Sequence, residues 1–115
     1  MARLTSDFFV SAHLRRCAAE GVFAALRRRG GAEAGAILVV VDRLDGTGTL
    51  YGPAPQSSYG AQAPGRAFSR LHKDEVLPRA EIEARLVREI DFDPDCWIIE
   101  IEDRGGRHFL DLSPE

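Results

Sequence analysis

The sequence predicts an α+β fold: a mostly antiparallel sheet of four to six strands built from two hairpins, with two helices packed on it. Three observations carry that expectation. Apolar residues recur at helical spacing in two separate segments. The β-branched run Ile37-Leu38-Val39-Val40-Val41 suits a strand covered on both faces. Two glycine-bearing turns, at Asp45-Gly46 and at Arg104-Gly105-Gly106-Arg107, join strand-like segments as hairpin turns do.

Taken in order, Ser6 to Glu20 reads as a helix with Val10, Leu14, Cys17 and Ala18 on one face, a cap at Thr5 or Ser6, and Gly21 as the stop. Val22 to Arg29 reads as a strand whose far end is basic, closed by Gly30-Gly31. Ala36 to Arg43 is the central strand. Asp45-Gly46 suits a type I′ turn, in which both central residues take positive φ, and the return strand Gly48 to Gly52 stops at Pro53. Residues 53–66 form a loop rich in Pro, Gly, Ser and Gln, expected to be flexible, after which Ala67 to Leu71 resumes as a strand. Pro78 opens a second helix reaching about Ile90, with Ile82, Leu86, Val87 and Ile90 buried and Glu81 paired to Arg85 on the wet side. Asp91 to Asp95 leaves the helix, because Pro94 disfavours helical geometry at Asp93. Cys96 to Asp103 is a strand with Trp97, Ile99 and Ile101 on one side and Ile98, Glu100 and Glu102 on the other, and it turns back into His108-Phe109-Leu110. Few crossovers are implied, so both helices are expected on one face of the sheet.

The 115 residues suit a single globular domain spanning 1–115, large enough to hold a core without metal or disulfide staples. No run approaches the ~20 apolar residues of a membrane span, and the first residues lack the apolar stretch of a secretory signal, so a cytoplasmic location is expected. Cys17 and Cys96 are expected to be free, buried thiols. Charge is unevenly spread: residues 1–31 hold six Arg against Asp7 and Glu20, whereas residues 74–115 hold thirteen acids against five Arg. That imbalance predicts a dipolar molecule able to steer a charged partner or to associate head to tail.

Asp91, Asp93, Asp95 and Glu102 stand at positions one, three, five and twelve of a calcium loop, but Cys96 takes the place of the turn glycine. On a strand rising ~3.3 Å per residue, Glu102 lies about 23 Å from Asp95. The acids therefore read as a helix-to-strand connector, with no metal site. His13 and Cys17, at i,i+4, supply two soft ligands where a zinc site needs four. No catalytic residue, no cofactor and no phosphate-binding glycine loop is identified. The candidate binding residues are Arg15, Arg16, Arg27, Arg28 and Arg29, which form the basic cluster, and Tyr59, the aromatic anchor of the polar 53–66 loop.

Three blocks resemble a known family: Val10-Ser11-Ala12-His13-Leu14-Arg15-Arg16, the stretch from Leu44-Asp45-Gly46 to Gly52-Pro53-Ala54-Pro55, and the stretch from Phe92-Asp93-Pro94-Asp95-Cys96-Trp97 to Glu102-Asp103-Arg104. They are similar to domain-of-unknown-function family 1491, small and mainly alphaproteobacterial proteins. The resemblance implies a bacterial origin and one short domain, and it brings no activity, cofactor or catalytic residue. The expected function is that of a non-enzymatic cytoplasmic domain acting through a protein partner or through homo-oligomer formation. The alternative is a small ligand-binding protein or enzyme with a pocket under the 53–66 loop. Nucleic-acid binding through the arginines is weakened by the acidic pI of 5.6 and by the absence of interleaved aromatics.

Overall fold

A computed structural model describes residues 5–55 and 66–113. The elements run α1 (Ser6–Ala19), β1 (Phe23–Arg28), β2 (Ile37–Asp42), β3 (Thr47–Pro53), β4 (Phe68–Arg70), β5 (Leu77–Pro78), α2 (Arg79–Phe92) and β6 (Trp97–Glu102). The strands form one six-stranded mixed sheet in the order β1-β6-β2-β3-β4, with β5 on β3. Pairing is antiparallel except between β2 and β6, where Ile37 lies beside Trp97 and Val41 beside Ile101. The α+β class expected from the sequence is therefore the one observed.

The helices do not share a face. Val10 and Cys17 of α1 pack with Val39, Val41, Trp97, Ile99 and Ile101 on one side of the sheet. Ile82 and Leu86 of α2 pack with Leu38, Val40, Leu50 and Ile98 on the other. The physical reason lies in β2, whose five apolar residues project to both sides and are all buried; a sheet with two apolar faces needs a helix on each.

Local chemistry accounts for the element ends. The Thr5 hydroxyl accepts the Phe8 N–H at 3.1 Å and caps α1. Pro78 precedes α2, where its missing N–H costs nothing. The β2–β3 turn is wider than a two-residue type I′ turn: Leu44 and Gly46, rather than Asp45 and Gly46, take positive φ, and the Arg43 N–H reaches the Thr47 carbonyl at 3.0 Å. Asp45 instead accepts the Thr47 N–H and hydroxyl at 3.0 and 2.6 Å, which holds it out of the left-handed region.

Two further expectations are corrected. Residues 108–110 form no strand, because the Asp103 carboxylate takes the Arg107 N–H at 2.7 Å and Phe109 adopts φ 60°. The chain is thereby sent across the α1 side until Leu112 bridges Phe68. In α2, Asp91 and Phe92 remain helical, so the helix ends two residues later than the proline suggested, with Asp93 extended at φ −136°. Val87 is 60% exposed, outside the buried stripe. Arg85 pairs with Glu89 at 2.8 Å, one turn further along than the expected Glu81.

The 91–95 connector docks on the Gly30-Gly31 loop. Asp95 accepts the Gly31 N–H through its carbonyl at 2.9 Å, and the Trp97 indole donates to the Gly31 carbonyl at 2.7 Å. A Cβ at Gly30 would stand 2.0 Å from the Asp95 carbonyl oxygen, so this approach requires glycine.

Candidate binding site

The five candidate arginines are not brought to one surface. Arg15 and Arg16 lie on the exposed side of α1, with Arg16 3.9 Å from Glu20 and over the Phe109 ring. Arg27 reaches toward α2, donating to Glu83 and, at 2.9 Å, to Glu100. Arg79 joins that network at 2.8 Å from Glu83 and 3.6 Å from Asp42. Hydrogen bonding from Arg27 holds the Glu83 carboxyl below its usual range. Arg28 donates to the Cys96 carbonyl at 3.2 Å, and Arg29 lies over the Trp97 indole on the α1 side, 3.9 Å from Asp7. The basic strand thus lies beside the acidic one, and the charge blocks that are separate in sequence meet in the fold. Tyr59 lies outside the described residues.

His13 and Cys17 serve the α1-side core. The His13 Nε2–H donates to the His108 carbonyl at 2.9 Å while its ring stacks on Phe9, and burial pushes its pKa down. Burial pushes the Cys17 thiol up, and Cys96 belongs to the core on the opposite face, so the two thiols are free and held apart. Among the described residues no group of three or more His, Cys, Asp or Glu side chains is placed to hold a metal ion. The Asp93 carboxylate accepts the Asp95 N–H at 3.1 Å, the local role expected of a connector.

A cavity of about 240 Å³ opens on the α2 side of the sheet. Ala36, Leu38 and Cys96 form its floor, Pro53 and Leu71 one wall, and Glu89, Phe92 and Asp93 of the α2 terminus the other. Each wall has a local cause. Gly52 lacks the Cβ that would stand 2.8 Å from Leu71 Cδ1, so Leu71 lies over the sheet. Arg85 donates to the Leu71 carbonyl at 3.1 Å and to Glu89 at 2.8 Å, fastening that wall to the helix. The two added residues of α2 carry Phe92 to the mouth, where it is 88% exposed. Burial pushes the Cys96 thiol up, so at neutral pH it stays protonated and lines the floor as a small apolar group.

Such a site can take up an apolar group between a neutral floor and carboxylates at the rim. Sequence reasoning missed Phe92, since a helix ending at Ile90 leaves this residue in a polar connector. The available signal was an aromatic between Asp91 and Asp93, two positions past the buried stripe.

A family model described as protein of unknown function (DUF1491) matches residues 4–111. The solution structure of protein Atu0922 from A. tumefaciens is 40% identical and superposes with a TM-score of 0.80, covering 99% of this chain and 98% of that one. The crystal structure of a DUF1491 family protein from Caulobacter crescentus CB15 is 36% identical with a TM-score of 0.78, over 99% of this chain and 100% of that chain. A search of curated proteins returned no match. With the family model spanning nearly all of the sequence and both relatives aligned from end to end, the chain belongs to the DUF1491 family.

Proposed function

We propose that this domain is a non-catalytic protein-binding module that seats an apolar side chain of a partner protein in the cavity between Pro53, Leu71 and the end of α2. The observation that carries this reading is Phe92, a large aromatic 88% exposed at the mouth of an apolar cavity. Covering such a ring contributes on the order of 1.5–3 kcal/mol. Pockets for drug-sized ligands and cofactors hold about 300–1,000 Å³; at about 240 Å³ this one suits a single side chain or a small apolar group. The proposed compartment is the cytoplasm, which the two free cysteines support. The arginines give less support to nucleic acid as a partner, since Arg27, Arg28 and Arg29 are engaged within the fold.

Titration of the isotopically labelled domain with 12-residue peptides bearing a central Leu, Phe or Trp tests the proposal by amide chemical shifts. Shifts should gather at Leu38, Leu71, Phe92 and Cys96, and Phe92→Ala should remove them without lowering the melting temperature. Peptides that leave those amides unmoved would overturn the reading.

A further inference from the structure

At the opposite edge of the sheet from β4, β1 pairs with β6 on one side and, among the described residues, with no strand on the other. Natural edge strands are blunted by charge, bulges or covering segments. In β1 those devices are confined to one end, where the pairing register slips between Leu26 and Arg28 and where Arg27, Arg28 and Arg29 follow one another. The Phe23–Leu26 half is regular, uncharged and open. Ala24 and Leu26 pack into the α1-side core, which sends Phe23, Ala25 and Arg27 to the other face. On that face α2 packs over β2 and β3 and leaves Phe23 62% exposed.

We propose that a second copy of this chain occupies that edge, pairing β1 with β1 antiparallel about a two-fold axis at Ala25. The strand is self-complementary in that sense alone. It runs from an apolar start, Phe23, to a basic end, Arg27 and Arg28. An antiparallel copy sets Phe23 opposite Arg27 of the second molecule, where the ring covers the arginine stem while the guanidinium keeps its bonds to Glu83 and Glu100. A parallel copy would set arginine against arginine. Ala25, small and exposed, meets its own counterpart on the axis without a clash. The pairing is isologous and closes as a dimer, joining the sheets of the two copies into one. It leaves the Phe92 cavity free, so this inference stands apart from the binding module proposed above.

The test combines sedimentation with a cysteine placed on the axis. Paired Cα atoms across an antiparallel ladder lie about 4.5–5.5 Å apart, within the span a disulfide bridges, whereas Cys17 and Cys96 are buried and do not compete. Ala25→Cys should give a disulfide-linked dimer under mild oxidation, and the wild-type chain should give none. The unmodified protein should sediment as a concentration-dependent dimer, and Phe23→Arg, which sets like charges opposite each other, should weaken it about tenfold. A chain that stays monomeric at roughly 100 μM, within the μM–mM range in which unpaired strand edges associate, would overturn the proposal. So would a dimer indifferent to Phe23→Arg, or an Ala25→Cys chain that does not cross-link.

Discussion

The two faces of the sheet are built from alternate residues of the same strands, yet they close differently. On the α1 side Trp97, Phe68, Tyr51 and Phe9 fill the space, and the C-terminal segment adds Phe109 and Leu110 over it. On the α2 side the packed residues are aliphatic, apart from Cys96, and the one aromatic the helix could supply there, Phe92, stands outside beside a cavity. A face closed by large rings leaves no room for another group, whereas a face closed by Leu, Ile and a small thiol can keep a vacancy at its end. The difference leaves the α1 side filled and the α2 side with room at its end.

The largest effect expected from testing that contrast is on the closed face. Trp97 is fully buried and its indole N–H is bonded to the Gly31 carbonyl. Trp97→Ala should cost about 3–5 kcal/mol, read as a shift in the urea midpoint; a loss below about 1 kcal/mol would show that the ring does not hold this face.

A paired experiment that adds volume to each face sharpens the comparison. Val39→Phe on the α1 side should cost about 1–3 kcal/mol by overpacking. Ala36→Leu, pointing into the cavity, should leave the midpoint unchanged or raise it, and should block the peptide shifts. Equal losses from the two substitutions would mean that the faces are equally full.

The smallest effect concerns acid. His108 Nδ1 accepts the Leu110 N–H at 2.9 Å on the α1 side, and His72 Nε2 accepts the Leu50 N–H at 3.0 Å while its Nδ1–H donates to the Asp74 carbonyl at 2.7 Å. Both rings must be neutral to accept, and burial lowers both pKa values, as it lowers that of His13. A folded pKa below the ordinary 6.5 means that the stability is fully present above 6.5 and is lost as pH falls through the lowered values. The urea midpoint should therefore be flat from pH 8 to about 7 and decline on acidification below about 6.5. A midpoint constant down to pH 5 would remove these histidines from the account.

Much of the architecture was legible because it is local. Thr5 and Gly21 bound α1, the Ile37–Val41 run announced a doubly covered strand, and the alternation in Trp97-Ile98-Ile99-Glu100-Ile101 assigned each residue to its face. The candidate site was less legible because its walls come from four separate segments. Phe92 reads as part of a polar connector until the helix is seen to continue, and the role of Gly52 depends on Leu71, far along the chain. The arginine cluster misled for the complementary reason: its partners Glu83 and Glu100 lie more than fifty residues away, and only the packing of α2 and the pairing of β1 with β6 bring them near.

By itself the sequence determined the class of fold, the two helices, five of the six strands and the identity of the family, since periodicity, caps and motif residues act within a few positions of themselves. Tertiary structure alone decided that the helices lie on opposite faces, that β6 inserts parallel to β2, that the C-terminal segment covers α1 instead of forming a hairpin, and that a cavity opens beside Phe92. Those outcomes depend on which surfaces must be covered and on what volume the available side chains can fill, and both are properties of the assembled sheet rather than of any one segment.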